Sequence, residues 1–483
     1  MACTINALCL LIANFILTSS FEVCAQQYLI ENQKPNKTMP LNSAQLVDFL
    51  STSKQKIIST NNKLEFNLSG SIKNDNKQVI KQFNKKRFFS ASPSPKNSTI
   101  PRIAILLPLT GPHAKLGQAM LNAAQLALFH FADRQIELLP QDTKGTERGA
   151  FDAVTLAISD GASLILGPLF SRSVAASAPA ARAAGIKIIA FSNDSSIAGD
   201  GVFTMGFLPQ EQVRRVVKFA ISRGFKRFAV LAPDSSYGLT IVNALRQITE
   251  ENDIEVSAQV FYDPQTNNFH PVIRSLANYD QRRQKLIDTR RLLAERDDEV
   301  AKLALKRLEN LQTLGDVAFD ALLIADGGKV LQSIAALLPY YDIDPKKIRM
   351  LGTGHWDISR IGSEPALVGG WFAAPSPESR REFISQYEGI YNEKPPRLAT
   401  LAYDATALAA IFAQSEESNE LGAKQPLFQL LELSASRGFK GLDGIFRFLP
   451  EGYVERGLSI FQVGERNNKI ISRSPQKFMN PSD

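Results

Sequence analysis

The sequence predicts an α/β protein with two doubly wound lobes, each a parallel sheet with helices on both faces. Two observations support this prediction. Short, continuously apolar runs, such as residues 103–108, are typical of strands buried on both faces of a parallel sheet. These runs alternate with helix-like amphipathic stretches, and more than eight of them follow residue 101, which favours two lobes over one.

The composition agrees with a folded chain of this size. The chain has 483 residues, of which 44% are hydrophobic and 21% are charged. That length suggests two or three folded units with sizeable cores. The composition excludes a wholly disordered, collagen-like or coiled-coil chain.

The first 25 residues are predicted to be a signal segment. The apolar run 5–18 is too short for a membrane-spanning helix but suits a signal-peptide core. Val23 and Ala25 place small residues at the −3 and −1 positions, which predicts cleavage before Gln26 and export. Because no Lys or Arg precedes the run, a buried element of a cytosolic protein is the alternative.

Cys24 is a second candidate feature of this segment, because a thiol after such a run can be acylated. Lipidation there would tether the chain to a membrane, although Glu22-Val23 is a poor match to the small residues expected before it. Under ordinary cleavage the mature chain has no cysteine, since all three lie in the first 24 residues. Disulfides and thiol catalysis are then excluded.

The net charge of +7 belongs to residues 26–100. This low-complexity segment holds twelve Lys/Arg and four acidic residues, whereas residues 101–483 hold 43 of each sign. It is predicted to be a basic linker, either a tether to an anionic lipid, glycan or polymer or a solvated spacer. The neutral body argues against a nucleic-acid partner.

The alternation of elements begins at residue 101. Strands are predicted at 103–108, 136–140, 164–166, 186–191, 202–205, 228–231, 256–261, 322–325, 350–352 and 371–373. Helices are predicted between them at 116–132, 147–159, 173–184, 211–223 and 237–251.

Residues 279–315 are predicted to form one or two helices inserted into the second lobe. The stretch is dense in charge and regularly spaced leucines, without Gly or Pro before Gly315. Asp298 and Lys302 are spaced to pair at i, i+4. The insert is either a solvated hairpin packing on its own lobe or a surface that docks a partner.

Ligands of open α/β sheets bind beyond the carboxyl ends of the strands, which makes the residues that follow the strands candidate ligand contacts. In the first lobe these are Thr110, Ser171, Arg172, Ser173, Ser192 and Asn193, and in the second they are Asp234, Tyr237, Asp326, His355 and Trp356.

These candidates have predicted roles. Ser171 and Ser173 open a helix and would hold an anion with help from Arg172, or one of them is simply the N-cap. In the second lobe, Tyr237 and Trp356 would stack on a ligand, and Asp326 would neutralise an amine.

Enzyme signatures are scarce. The four histidines are scattered, with no HExxH motif and no Cys/His metal spacing. No complete phosphate loop or Gly-x-Gly-x-x-Gly fingerprint is found. The sequence therefore predicts no catalytic residue, no metal site and no cofactor.

Several motifs resemble the type I periplasmic-binding-protein superfamily, especially its leucine/isoleucine/valine-binding branch. They are Leu107-Pro-Leu-Thr-Gly111 with Gly117, the Gly167-Pro168 turn, Asp234 with Tyr237-Gly238, and Ala402-Tyr-Asp-Ala405. A finer resemblance, to the penicillin-binding protein activator family of bacterial envelope proteins, depends on the charged insert and on Leu351-Gly-Thr-Gly-His-Trp356, Gly369-Gly-Trp-Phe-Ala-Ala-Pro375, Pro395-Pro-Arg397 and Gly438-Phe-Lys-Gly-Leu-Asp-Gly444 with Phe446-Arg-Phe448.

The resemblance implies two lobes joined by a three-strand hinge. Residues 101–208 and 378–445 would form the first lobe, and residues 209–377 and 446–475 the second. It also implies a periplasmic location and a role in peptidoglycan synthesis, through binding of a bifunctional penicillin-binding protein. A small-molecule or peptidoglycan-derived ligand is a further expectation.

Two function classes stay open at this point. One is a non-enzymatic regulator that binds a cell-wall synthase, and the other is the solute-binding receptor of a leucine/amino-acid-type ABC transporter. In the amino-acid-binding branch, an aromatic residue and an acidic residue stand where this chain has Leu116 and Gly354-His355. An ordinary α-amino-acid site is therefore not expected, unless Asp326 substitutes for the missing acid.

Overall fold

The computed structural model describes residues 100–131, 136–415 and 437–478. The predicted signal segment with Cys24, and residues 26–99 of the predicted linker, lie outside these described ranges. Among the helices that the structure describes, none is both long and apolar enough to cross a membrane.

The chain alternates between strands and helices over most of its described length. The strands are β1 Arg102–Leu107, β2 Glu137–Asp142, β3 Leu164–Leu166, β4 Lys187–Ala190, β5 Val202–Thr204, β6 Phe228–Pro233, β7 Val256–Tyr262, β8 Ala321–Ile324, β9 Arg349–Gly352, β10 Trp371–Ala374, β11 Phe439–Gly441, β12 Gly444–Phe448, β13 Val454–Arg456, β14 Ser459–Gln462 and β15 Lys469–Ser472. The α-helices are α1 Ala114–Phe131, α2 Glu147–Ser159, α3 Ser171–Ala183, α4 Pro209–Ser222, α5 Ser236–Glu250, α6 His270–Leu276, α7 Tyr279–Ala294, α8 Glu299–Leu308, α9 Gly328–Leu337, α10 Arg380–Tyr391 and α11 Ala399–Ser415.

The first lobe is built on a parallel sheet with the order β2-β1-β3-β4-β5. Strand β1 pairs with β2 on one side and β3 on the other, so Ile103 lies beside both Leu138 and Leu164. Helix α11 is buried over most of its length, and its Leu401 and Leu408 pack into the same core as Ile103 and Leu164.

The second lobe is built on a seven-stranded sheet with the order β15-β14-β10-β9-β8-β6-β7. Strands β6 to β10 run parallel, while β14 and β15 add an antiparallel edge. Apolar clusters lie on both faces of this sheet, one around Trp356 and Phe372 and the other around Val217 and Leu323. The architecture is thus the expected α/β fold of two doubly wound lobes.

The chain crosses between the two sheets three times in the described residues. It passes from β5 to α4, from β10 to α10, and from β13 to β14. A small antiparallel sheet, β11-β12-β13, precedes the third crossing. The lobe boundary at 445/446 stays a prediction, while Phe446, Phe448 and Val454 pack into the first-lobe core and Ser459 opens the strand that joins the second sheet.

The ten predicted strands and five predicted helices are confirmed, with ends shifted by up to two residues. The start of α2 at Glu147 follows from the capping residue Thr146, whose hydroxyl oxygen accepts the Gly149 N–H at 3.0 Å. The patterns did not predict strands β11 to β15, which are short. All of them except β14 contain a charged residue, such as Lys440 in β11 and Glu455 in β13.

The insert forms two helices, α7 and α8, as predicted. The predicted pairing of Asp298 with Lys302 is wrong. Asp298 instead caps α8 through the Ala301 N–H and binds Arg296 at 2.8 Å, while the Lys302 ammonium lies 3.2 Å from Asp297. Capping is the competing use of this carboxylate, because the first-turn N–H groups of a helix have no backbone partner.

Gly117 allows α1 to lie against the loop that follows β1. A Cβ atom at this position would lie 2.1 Å from the carbonyl oxygen of Pro108. We expect Gly117→Ala to lower the free energy of unfolding by about 1–3 kcal/mol, because the backbone has to move apart. The adjacent Gln118→Ala, on the exposed face of the same helix, is the control and should change it by less than about 0.5 kcal/mol. Equal urea midpoints for the two variants would contradict the close approach.

Candidate functional site

The candidate residues of the second lobe gather at the carboxyl ends of β6, β8 and β9. The Tyr237 ring, in the first turn of α5, stacks on the His355 imidazole with centroids 4.8 Å apart and planes at 27°. The Tyr237 hydroxyl lies 3.0 Å from the Thr353 Oγ1 atom. The structure thus brings Tyr237 and His355 together, and Thr353, which the sequence patterns did not single out, positions the pair.

The carboxylate of Asp326 is already engaged within its own lobe. The Tyr262 hydroxyl donates a short hydrogen bond to Oδ2, and the Gly327 N–H donates to Oδ1 at 2.7 Å. Burial, followed by this hydrogen bond, raises the pKa of Tyr262 above its ordinary value, so the phenol stays a donor. Because both Asp326 oxygens have donors, an incoming amine would find only their remaining lone pairs.

Trp356 cannot stack on a ligand, contrary to the prediction. Its ring is completely buried in the second-lobe core, near Phe372, and its Nε1–H donates to the Asp326 carbonyl oxygen at 3.1 Å. Gly352 leaves the room for it, because a Cβ there would lie 2.1 Å from the indole. Trp356 therefore holds the Asp326 loop in place from the core of the second lobe.

Burial controls the ionisation of the stacked pair. It raises the pKa of Tyr237 to about 12, with the Thr353 hydrogen bond acting in the opposite direction. It lowers the pKa of His355, which the nearby Asp326 partly offsets. At neutral pH the Tyr237–His355 stack therefore presents uncharged aromatic and hydrogen-bonding surface beside one carboxylate.

Thr110, the first candidate in the other lobe, is bound to Asp142 at the end of β2. Its hydroxyl donates to the Asp142 carboxylate at 2.6 Å, and the N–H groups of Leu109 and Lys144 donate to the same side chain. Burial acts to raise the pKa of Asp142, but these hydrogen bonds hold it below its ordinary value. Asp142 was missed by the sequence reasoning, although it ends the strand beside β1.

The serines at the start of α3 are not N-caps. The N-cap position is Phe170, which makes no side-chain capping bond and packs on His113. Ser173 is buried and donates to the Thr146 carbonyl oxygen at 3.4 Å, so it is turned away from solvent. Ser171 is half-buried and Arg172 is exposed, which leaves these two as the accessible members.

The remaining candidates differ in accessibility. Ser192 is buried, and its Oγ accepts the Asp194 N–H at 3.1 Å. Asn193 and Asp234 are exposed next to β4 and β6. Each of these accessible side chains is a predicted ligand contact, and none of the described bonds commits Asn193 or the Asp234 carboxylate.

Gln212 connects the first crossing to the His355 loop. Its Nε2 donates to the Phe207 carbonyl oxygen at 3.2 Å, and its Oε1 accepts the Gly354 N–H at 2.6 Å. The sequence patterns did not identify this nearly buried glutamine, because it lies on a helix face rather than in a loop. Among the described residues, no group of three or more His, Cys, Asp or Glu side chains could hold a metal ion.

Comparisons with known proteins point to one family. A family model described as "Periplasmic binding protein" matches residues 101–463. The chain is also 27% identical over 176 residues to the uncharacterized protein RP748 of Rickettsia prowazekii, covering 36% of this chain and 47% of that protein. The chain thus spans about half the length of this curated relative.

Solved structures show the same fold at low identity. An ABC transporter substrate-binding protein from Sphaerobacter thermophilus is 20% identical, with a TM-score of 0.57 over 78% of this chain and 98% of its own. A putative branched-chain amino acid ABC transporter protein from Rhodospirillum rubrum is 19% identical, with a TM-score of 0.60 over 77% and 100%. A solute-binding protein from R. palustris in complex with benzoate is 16% identical, with a TM-score of 0.51 over 79% and 98%.

Proposed function

Because this chain belongs to the periplasmic binding protein family, whose members are binding proteins, we propose that it is a non-enzymatic protein of the cell envelope. In this proposal it resides in the periplasm and regulates peptidoglycan synthesis by binding a cell-wall synthase, a bifunctional penicillin-binding protein. The α7–α8 insert is the docking surface. The resemblance of its motifs to penicillin-binding protein activators supports this assignment.

The observation that carries the proposal is the apolar surface of the insert. Leu292 on α7 and Val300 and Leu303 on α8 are 60%, 72% and 59% exposed. Val300 and Leu303 are three residues apart on one helix and therefore share a face. Exposed apolar side chains grouped on one element are typical of a protein–protein interaction site.

The insert is held in a defined shape, as a docking surface requires. The Arg282 guanidinium donates to the Gly315 carbonyl oxygen and to the Thr313 hydroxyl, the latter at 2.7 Å. Arg290 donates to carbonyl oxygens at the end of α8, including that of Glu309 at 3.0 Å. These bonds hold α7 against the end of α8 and the segment that follows it, although the two helices bury little more than Leu286 and Ala301.

An open cavity at the base of the insert adds to this surface. It has a volume of about 550 Å³ and lies between α6, the first turn of α7 and Tyr341. His270, Arg274 and Tyr279 contribute to its lining, and none of the eleven candidate ligand contacts does. The features that would recognise a partner thus lie on the insert side of the second lobe.

The candidate ligand contacts also favour a regulator over a solute-binding receptor. Thr110, Ser173, Ser192 and Asp326 each use their side-chain oxygen on a neighbour in the same lobe. Polar groups that are satisfied internally gain little from a solute, because binding would exchange one hydrogen bond for another.

The partner test uses the full mature chain as bait in envelope extract. We expect Val300→Glu with Leu303→Glu to lower recovery of a synthase, detected by a fluorescent penicillin, at least tenfold, because each substitution buries a charge in an apolar interface. The control is Leu156→Glu, which changes a leucine with 50% exposure on α2 of the first lobe and should recover the synthase normally. Recovery of a permease without any synthase, or unchanged recovery by the double variant, would overturn the proposal.

A solute-binding receptor is the second candidate, favoured by the Tyr237–His355 stack beside Asp326. An aromatic or amine-bearing solute would be held there by stacking and by the carboxylate. The test is the melting temperature with leucine or benzoate at millimolar concentration. A rise that Tyr237→Ala abolishes would favour the receptor and contradict a purely regulatory role.

A further inference from the structure

The segments at and after the three crossings between the lobes bring together the buried Arg456 and the half-buried Arg380 and Arg397. Phe207 belongs to the first crossing, Arg380 follows the second, and Arg456 lies at the third. The guanidinium carbon of Arg456 lies 5.1 Å from the Phe207 ring centroid, and that of Arg397 lies 4.4 Å from it. We call the following set the hinge cluster: Phe207, Arg380, Arg397, Asp404, Asp443 and Arg456.

The negative charge of the hinge cluster comes from two aspartates. Asp443 is fully buried, with Oδ1 2.7 Å from the Arg397 Nη1 atom and Oδ2 accepting the Thr400 hydroxyl at 2.6 Å. Asp404 is also fully buried and accepts the Leu442 N–H at 2.9 Å. Burial, followed by the neighbouring Asp443, raises the pKa of Asp404 to about 7, so this group is only partly ionised at neutral pH.

The positive charge exceeds the negative charge. Burial lowers the pKa of Arg380 and of Arg456, yet a guanidinium remains protonated at any physiological pH. Three guanidinium groups therefore face Asp443 and the partly ionised Asp404 within the hinge cluster, and the exposed Asp357 also acts on Arg380. An uncompensated cation away from water carries a large desolvation cost.

Several N–H groups of these arginines have no hydrogen-bond partner among the residues that the structure describes. They are Nε and Nη1 of Arg380, Nη2 of Arg397, and Nε and Nη1 of Arg456. The cluster also holds two buried carboxylate oxygens without a hydrogen-bond partner in the described part of the chain, Asp404 Oδ2 and Asp443 Oδ1, so its unpartnered donors outnumber its unpartnered acceptors by five to two. Arg456 is only 6% exposed, and its one described bond runs from Nη2 to the Met205 carbonyl oxygen at 2.6 Å. Water would satisfy these donors but would leave the charge excess, whereas an oxyanion would satisfy both.

We propose that the hinge cluster binds an oxyanion, either a carboxylate group or a phosphate. Charge-assisted hydrogen bonds from arginine are the usual means of holding both groups. Because Phe207, Arg380 and Arg456 come from three different crossings, the bound anion would connect all three. It would thereby stabilise one relative arrangement of the lobes, independently of the proposed partner and of the Tyr237–His355 stack.

The test compares melting temperatures of the full mature chain in acetate, in inorganic phosphate and in chloride at equal ionic strength. We expect acetate or phosphate at about 50 mM to raise the melting temperature by about 2 °C or more over chloride. The anion with the larger effect identifies the carboxylate or the phosphate as the preferred group. Isothermal titration with that anion then measures its affinity.

Two variants and one control make the test specific. Arg380→Gln and Arg397→Gln should each remove at least two thirds of the shift. In chloride, Arg380→Gln should not lower the melting temperature, because it removes unneutralised charge, so loss of the anion response is separable from unfolding. The control is Arg349→Gln in the second lobe. Arg349 is a half-buried arginine with an unpartnered Nε, and its guanidinium carbon lies 4.8 Å from the centroid of the Trp371 ring.

The outcomes divide cleanly. A shift in the wild type and in Arg349→Gln that is lost in both cluster variants supports the oxyanion site. No shift with either anion, or an equal shift in Arg397→Gln, overturns it. If neither anion raised the melting temperature, water alone would satisfy the arginine donors of the cluster.

Discussion

Replacing Asp443 by asparagine is expected to lower the free energy of unfolding by about 3–5 kcal/mol, the usual result of removing one partner of a buried ion pair. Its carboxylate is fully buried, lies 2.7 Å from Arg397 Nη1 and is the main negative charge among three arginines. The amide would leave these cations with only the partly ionised Asp404 inside the cluster. Urea unfolding followed by circular dichroism measures the change.

A matched control separates the effect of burial on stability from the effect of the ion-pair distance. Asp316 pairs with Lys347 at the same 2.7 Å distance, but its side chain is 75% exposed. Asp316→Asn should therefore cost about 1 kcal/mol or less, because water screens the pair and solvates the ion that remains. If the two asparagine variants had similar urea midpoints, Asp443 would not be the counter-charge that the hinge cluster needs.

Trp356→Ala is expected to cost about 3–5 kcal/mol, because it removes the largest fully buried side chain of the second lobe and leaves a cavity. The variant also loses the hydrogen bond from Nε1 to the Asp326 carbonyl oxygen. Trp356→Phe keeps an aromatic ring and should lose less. The urea midpoints of the two variants give the comparison, at an equal slope of the unfolding free energy against urea concentration.

An exposed aromatic residue provides the reference for Trp356. Tyr340 is 68% exposed, so Tyr340→Ala should change the free energy of unfolding by about 0.5 kcal/mol or less. A ligand that stacked on Trp356 would require an exposed ring and a small effect on stability. A loss below about 1 kcal/mol for Trp356→Ala would therefore return this residue to the candidate ligand contacts.

The second-lobe site was predicted in part. Tyr237, Asp326 and His355 follow three parallel strands of one sheet, and the carboxyl ends of such strands meet at one edge. The proximity of these three residues therefore follows from their positions directly after strands. Their hydrogen-bond state does not, because the partners of Asp326 and Tyr237 are Tyr262 and Thr353, which the loop patterns did not single out. Trp356 was misassigned for the same reason, since a loop position does not reveal which way a ring points.

The hinge cluster could not have been derived from local pattern. Arg456 and its acceptor Met205 are 251 positions apart, and no periodicity connects them. Three members did lie inside motifs that carried the family resemblance: Arg397 after the two prolines, Asp404 after the Ala-Tyr pair, and Asp443 before a glycine. The motifs marked the positions but not their mutual contacts.

The sequence by itself determined the fold class, the order of strands β1 to β10 and helices α1 to α5, the helical insert, and the assignment of the net positive charge to residues 26–100. These properties depend on residue type and spacing within one element, where burial of an apolar face sets the pattern. Only the tertiary structure decided which carboxylates were already satisfied, which aromatic ring was buried, and which arginines met at the crossings. Those outcomes depend on contacts between distant segments, and the low polarity of the interior there sets the energetic cost of each unpaired charge.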